Sequence, residues 1–238
     1  MRKLAILSLL AIGAAAQADI NIGSNYVYAH EFHRETDGNT QWSWLENGSL
    51  DPIPHDEALN DTTFGPSFEL DSSASASAHI LTHTSSQLSL SGSSVTEALI
   101  HNYTNPDSFD VQGEGQVWME FTTDVATTLT FHEICTGYYA SSGWAGSTMQ
   151  LDVDSTFLDD PTGVGLSYTV NLDPGYHVFV MSQYSEALSP YGAAPWFSGT
   201  TMDTQYTLDI TAAAVPEPAT ILLLTPAVLA LRRRRQGF

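Results

Sequence analysis

The chain has 238 residues, with 27 acidic against seven basic side chains, a formal net charge of −20 at neutral pH, and one cysteine. This balance excludes a nucleic-acid backbone as partner, because phosphate contacts need clustered Lys and Arg, and a single cysteine excludes an internal disulfide. No phosphate loop, dinucleotide fingerprint or zinc-ribbon spacing occurs.

The first predicted element is a targeting segment. Arg2 and Lys3 precede an apolar stretch, 4–12, and Ala16-Gln17-Ala18 forms a small-residue A-x-A site. The pattern predicts a secretory signal peptide over residues 1–18, cut between Ala18 and Asp19. No cysteine follows the cut, so a lipoprotein route is not expected.

Residues 19–213 are enough for one domain with its own core. Arg2, Lys3, Arg232, Arg233, Arg234 and Arg235 account for six of the seven basic residues, so Arg34 is left facing nearly all of the acids. Almost no carboxylate there has a Lys or Arg to pair with. The acids must lie in water or meet cations, and dissolved salt should relieve their mutual repulsion.

This domain carries no amphipathic helical period. It carries short β-rich runs separated by turn residues. In chain order they are 26–32, 67–70, 73–84, 87–91, 116–122, 127–134, 148–153, 166–172, 176–182 and 205–211, with 97–101 as a further strand. In 116–122, Val117, Met119 and Phe121 share one face, opposite Trp118 and Glu120. The Ser/Ala alternation at 73–78 places Ala74, Ala76 and Ala78 on one face if extended. Asp173-Pro174-Gly175 reads as a turn between two strands. The fold expected is all-β: an antiparallel β-sandwich, jelly-roll-like. Cys135 falls in a predicted strand and is expected to be buried. The stretches 35–66 and 183–204 have no clear alternation and read as long aromatic-rich loops.

Three kinds of site are open. Asp152 and Asp154 lie on one strand face, with Asp159 and Asp160 at the following turn, and hard carboxylate oxygens suit calcium. No other cofactor is expected. Trp42, Trp44 and Trp196, placed in the predicted loops, suit stacking on a sugar ring or closing the ends of the sandwich. Histidine pairs His30/His33 and His79/His83 have ligand-like gaps but no recognisable continuation. No G-x-S-x-G elbow is present, and no catalytic residues are assigned.

The last element is tripartite. Val215, Pro216, Glu217 and Pro218 precede an uncharged apolar run, with 219–231 as the membrane-like segment, and then Arg232, Arg233, Arg234 and Arg235. At the helical rise, 219–231 is about 20 Å long against a hydrocarbon core of about 30 Å, so it is at most a marginal span. The order of motif, apolar run and basic end resembles the PEP-CTERM tail of exported bacterial surface proteins. The resemblance covers about a tenth of the chain. It implies recognition of the Pro-Glu-Pro motif by an exosortase-type membrane protease. It also implies a transient stay in the inner membrane with the arginines cytoplasmic, then release to the cell surface or extracellular matrix. The expected role is non-enzymatic, structural or adhesive, in the envelope or an exopolysaccharide layer. The alternatives are a carbohydrate-binding module and, after it, a secreted hydrolase.

Overall fold

Alternating sequence becomes alternating burial along the central strands of the computed structural model, which describes residues 18–36, 40–47, 55–65, 67–104, 107–141, 145–160 and 164–213. The strands are β1 (Ile20–Thr36), β2 (Thr40–Asn47), β3 (His55–Gly65), β4 (Phe68–Thr84), β5 (Gln87–Asn102), β6 (Ser108–Thr123), β7 (Thr127–Ser141), β8 (Ala145–Val153), β9 (Thr156–Asp160), β10 (Ser167–Leu172), β11 (Gly175–Ser189) and β12 (Trp196–Ala212). They form two antiparallel sheets. Sheet A has the order β2-β1-β6-β11-β8-β9, and sheet B the order β10-β7-β12-β5-β4-β3. The chain changes sheet at β2–β3, β5–β6, β6–β7, β7–β8, β9–β10, β10–β11 and β11–β12. The inner faces pack as a β-sandwich.

Two apolar clusters fill the space between the sheets. The larger joins Val117, Met119, Phe121, Phe179 and Met181 of sheet A to Leu88, Leu90, Leu129, Phe131, Leu208 and Ile210 of sheet B. The smaller joins Phe68, Leu70 and Ile100 to Phe109, Val111 and Ala187.

A buried polar group also bridges the sheets. The Gln183 amide nitrogen donates to Thr96 Oγ1 (3.1 Å) and to the Met202 carbonyl (2.6 Å), and Thr204 Oγ1 donates to Gln183 Oε1 (2.5 Å). Hydroxyl contacts continue from Thr96 to Ser185 (2.7 Å), Ser147 (2.6 Å) and Thr200 (2.7 Å). Satisfied polar networks of this kind fix one packing, because each member loses its partner if the sheets slip.

The Ser/Ala ladder of β4 has a steric role. Ala74, Ala76 and Ala78 are buried, as the alternation requires. Opposite them, β6 carries Gly113 and Gly115. A Cβ on Gly113 would stand 2.7 Å from the Ser73 carbonyl oxygen and 2.9 Å from that of Glu97. On Gly115 it would stand 2.5 Å from Ser94 Oγ and 2.7 Å from the Ser75 oxygen. The sheets approach here until only hydrogen fits between them.

Several sequence readings are corrected. The stretches 35–66 and 183–204 are mostly strand, contributing β2, β3, the end of β11 and the start of β12. Their alternation is masked by polar residues facing solvent and by buried serines such as Ser185, Ser189 and Ser198. The runs 87–91 and 97–101 are one strand, β5, since Ser93 and Ser94 continue the ladder by pairing with Gln205 and Thr204. Cys135 is only partly buried, with its thiol donating to the Gly137 carbonyl at 3.3 Å. The signal segment 1–17 and the tail from 214 onward lie outside the described residues.

The glycine spacing makes a testable pair. Gly113→Ala should destabilise the domain by about 1–3 kcal/mol through overpacking against backbone. Gly146→Ala, with nothing within 4 Å of the added carbon, should stay within about 0.5 kcal/mol. Urea midpoints of the two variants decide; equal effects would mean that the sheets do not meet at Gly113.

Candidate functional site

The outer face of sheet A gathers the chemistry. Odd-numbered residues of β6 and β11 enter the core, so the even-numbered ones stand on the outer face. The register places Tyr26 opposite Trp118, Tyr28 opposite Gln116, His30 opposite Glu114 and Arg34 opposite Asp110. On the other side of β6, Gln116 faces Ser182, Glu114 faces Tyr184 and Gln112 faces Glu186. Antiparallel pairing thus collects aromatic, amide and carboxylate groups from three strands into one strip.

Tyr26 and Trp118 stack across strands, with ring centroids 5.1 Å apart and planes 14° from parallel. The Tyr26 hydroxyl donates to Gln116 Oε1 (3.2 Å), and Gln116 Nε2 donates to Ser182 Oγ (2.9 Å). Further along, Gln112 Nε2 donates to both Asp110 Oδ1 (3.1 Å) and Glu186 Oε1 (3.0 Å). His30 Nδ1 lies 3.8 Å from Glu114 Oε2. A cavity of about 250 Å³ lies at the end of the strip, between Arg34, Ser108, Asp110, Leu188 and Pro190.

Burial, and then the charge of Glu186, push Asp110 up to about 6, against the opposing effects of Gln112 and Arg34. Burial, then Glu186 and Asp110, hold Tyr184 well above the usual phenol range. Burial, then Glu114, raises Tyr26 as well. These phenols therefore stay protonated and act as hydrogen-bond donors. Aromatic rings beside donors and acceptors of this kind can hold a polyol: ring faces meet C–H groups, while amides and carboxylates meet hydroxyls.

The residues singled out from the sequence are dispersed. Asp154 and Ser155 form the β8–β9 turn with φ of 50° and 68°. Asp154 accepts from the Val178 amide (2.9 Å) and lies 2.6 Å from His177 Nδ1. Asp159 accepts from Thr148 Oγ1. Asp152 sits half-buried on β8, opposite Phe157. Asp160 is buried and accepts from the Gly165 amide at 2.7 Å. The four carboxylates do not converge on one point: Asp152 and Asp159 lie on the outer face of the hairpin, Asp160 pairs with Met149 on the inner face, and Asp154 is held in the turn. Among the described residues no group of three or more His, Cys, Asp or Glu side chains gathers as a metal site.

Trp42 and Trp44 lie in strand β2, not in a loop, in register with Arg34 and Phe32. Trp196 opens β12, and its indole donates to the Leu188 carbonyl at 3.2 Å. Tyr26, Tyr28 and Tyr184 lie within strands, and nothing in their spacing marks them as a site. The available signal was Trp118, a large aromatic on the polar side of a strand whose other side is Val117, Met119 and Phe121.

No family model and no curated protein matches the chain. Among solved structures, it is similar to a GH31 alpha-xylosidase from Xanthomonas citri, with 9% identity, 83% of this chain and 28% of that chain covered, and a TM-score of 0.22. The chain spans under a third of that enzyme's length, and a likeness this slight carries no argument.

The environment of Asp110 gives a pH dependence. Its folded value, about 6, lies above the ordinary 3.8. Its stabilising contribution is therefore complete below about pH 4 and is lost as pH rises through about 6. Asp110→Asn should flatten that part of the stability profile, read from urea midpoints at successive pH values. An unchanged slope would place Asp110 in ordinary solvent.

Proposed function

We propose that the protein is exported and acts as a non-enzymatic surface or matrix protein that adheres to polysaccharide through the outer face of sheet A. The observation that carries the adhesive role is the Tyr26–Trp118 stack, continued along the strip by Gln116, Ser182, Gln112 and Glu186. Export and sorting rest on the two ends of the sequence: the A-x-A site ending at Ala18, and Val215 to Pro218 with the apolar run and Arg232 to Arg235. On this reading residues 19–213 form the mature jelly-roll-like domain. The tail is held briefly in the inner membrane and handed to an exosortase-type protease. Cleavage before Asp19 is compatible with the fold, since the Asp19 nitrogen lies 2.7 Å from Asp124 Oδ1 and a new ammonium there would meet a carboxylate.

Two experiments test this. Mass spectrometry of the surface form, in a cell with the matching protease, should find Asp19 at the N-terminus and processing near Pro216 to Pro218. A cytoplasmic chain retaining Met1 and Phe238 would defeat the export reading. A glycan array should show binding that falls about tenfold or more in Trp118→Ala and Tyr26→Ala, the equivalent of about 1.4 kcal/mol. Retention of full binding by both variants would remove this face as the site.

A further inference from the structure

A second site lies at the edge of the sandwich where the chain passes from β9 to β10. There the edge strand of sheet A gives way to the edge strand of sheet B. Glu133 of β7 turns inward and is 1% exposed. Its Oε2 accepts the Leu166 amide at 2.9 Å, and its Oε1 has no hydrogen-bond partner. Asp160, the last residue of β9, is 7% exposed and accepts the adjacent amide, Gly165, at 2.7 Å. Consecutive peptide N–H groups thus hold two buried carboxylates side by side, one from each sheet.

The backbone also closes over them. The Glu133 amide donates to the Leu166 carbonyl at 2.8 Å. Gly165 has φ +104°, and a Cβ there would stand 2.9 Å from the Glu133 carbonyl oxygen.

A buried carboxylate oxygen without a partner is costly unless a proton or a cation meets it. Burial acts first on Glu133, and with the added charge of Asp160 pushes it up to about 7 against the Leu166 amide. The same crowding reaches Cys135, whose thiol is raised first by burial and further by Glu133, Asp160 and Asp203. A proton would satisfy only one oxygen of Glu133. A cation between the carboxylates would also offset the charge of Asp160. The donors are hard oxygens, and the nearby Cys135 thiol is directed to the Gly137 carbonyl. That set favours calcium over a thiophilic metal.

We propose that Glu133 and Asp160 bind a calcium ion that locks the β9–β10 edge of the sandwich, with Glu133 Oε1 as its buried ligand. Water completes the six to eight ligands that calcium takes. The site replaces the Asp152/Asp154/Asp159/Asp160 grouping expected from the sequence and retains only Asp160 from it. It is independent of the sheet A face, so the two proposals fail separately.

The test uses the full chain, stripped of metal with a chelator at pH 7.5. Calcium should raise Tm by about 5 °C or more beyond ionic-strength-matched sodium, at roughly a hundredfold excess over its dissociation constant. The increment should vanish in Glu133→Gln, whose metal-free Tm should equal or exceed that of the parent. It should persist in Asp152→Asn and shrink at pH 5.5, where protons compete for Glu133. Terbium should bind the unmutated chain with luminescence sensitised by Tyr206, paired with Glu133 across β12 and β7, and calcium should displace it. No increment over sodium, an equal increment in Glu133→Gln, or terbium that calcium does not displace would each overturn the proposal.

Discussion

Carboxylates in this domain have Arg34 as their only permanently cationic side chain, beside eight histidines, and the fold is arranged around that shortage. Main-chain N–H groups take the place of lysine: Leu166 for Glu133, Gly165 for Asp160 and Val178 for Asp154. A side-chain amide, Gln112, does the same for Asp110 and Glu186 together. Bonds of this kind stabilise a carboxylate without adding charge, so the negative field remains. That field helps to raise Asp110 and Glu133 and shapes both the outer strip of sheet A and the β9–β10 edge.

The interior answers a different constraint. Two apolar clusters would leave the sheets free to slide if nothing between them had direction. Gln183, Thr96, Ser185, Ser147, Thr200 and Thr204 supply the direction, and Gly113 and Gly115 set the spacing. Sheet A's outer strip inherits its alignment from this interior, because Gln116 and Ser182 belong to the same strands as Gly115 and Gln183.

The β class was legible wherever one face of a strand is apolar and the other polar, as at Val117 to Phe121 and Tyr206 to Ile210. It was hidden where buried positions carry serine or threonine, as in the later part of β11 and the start of β12. There the two faces have the same polarity in sequence, and only the pairing shows which is inside. The site was less legible still. Trp118 could be placed on an outer face, but its stacking with Tyr26 depends on a register between strands some ninety residues apart. Glu133 shares the face of Leu129 and Phe131, but a lone glutamate at the end of an apolar face does not by itself show whether it is buried or turned to solvent. Asp154 was drawn into a calcium grouping by its spacing, whereas the turn at Asp154 and Ser155 directs it to His177.

The first and last strands, β1 and β12, are interior members of their sheets, while the edges β2, β3, β9 and β10 come from the middle of the chain. At its far end β12 is held on both sides: the Ala212 amide donates to the Ser86 carbonyl (2.9 Å) and the Ala213 amide to the Ala126 carbonyl (2.8 Å). A pull on the C-terminal side therefore meets two ladders loaded along their length, and cannot peel away a single border strand one bond at a time. Load applied lengthwise to β12 thus acts as shear on both of its neighbours, the direction in which paired strands resist best.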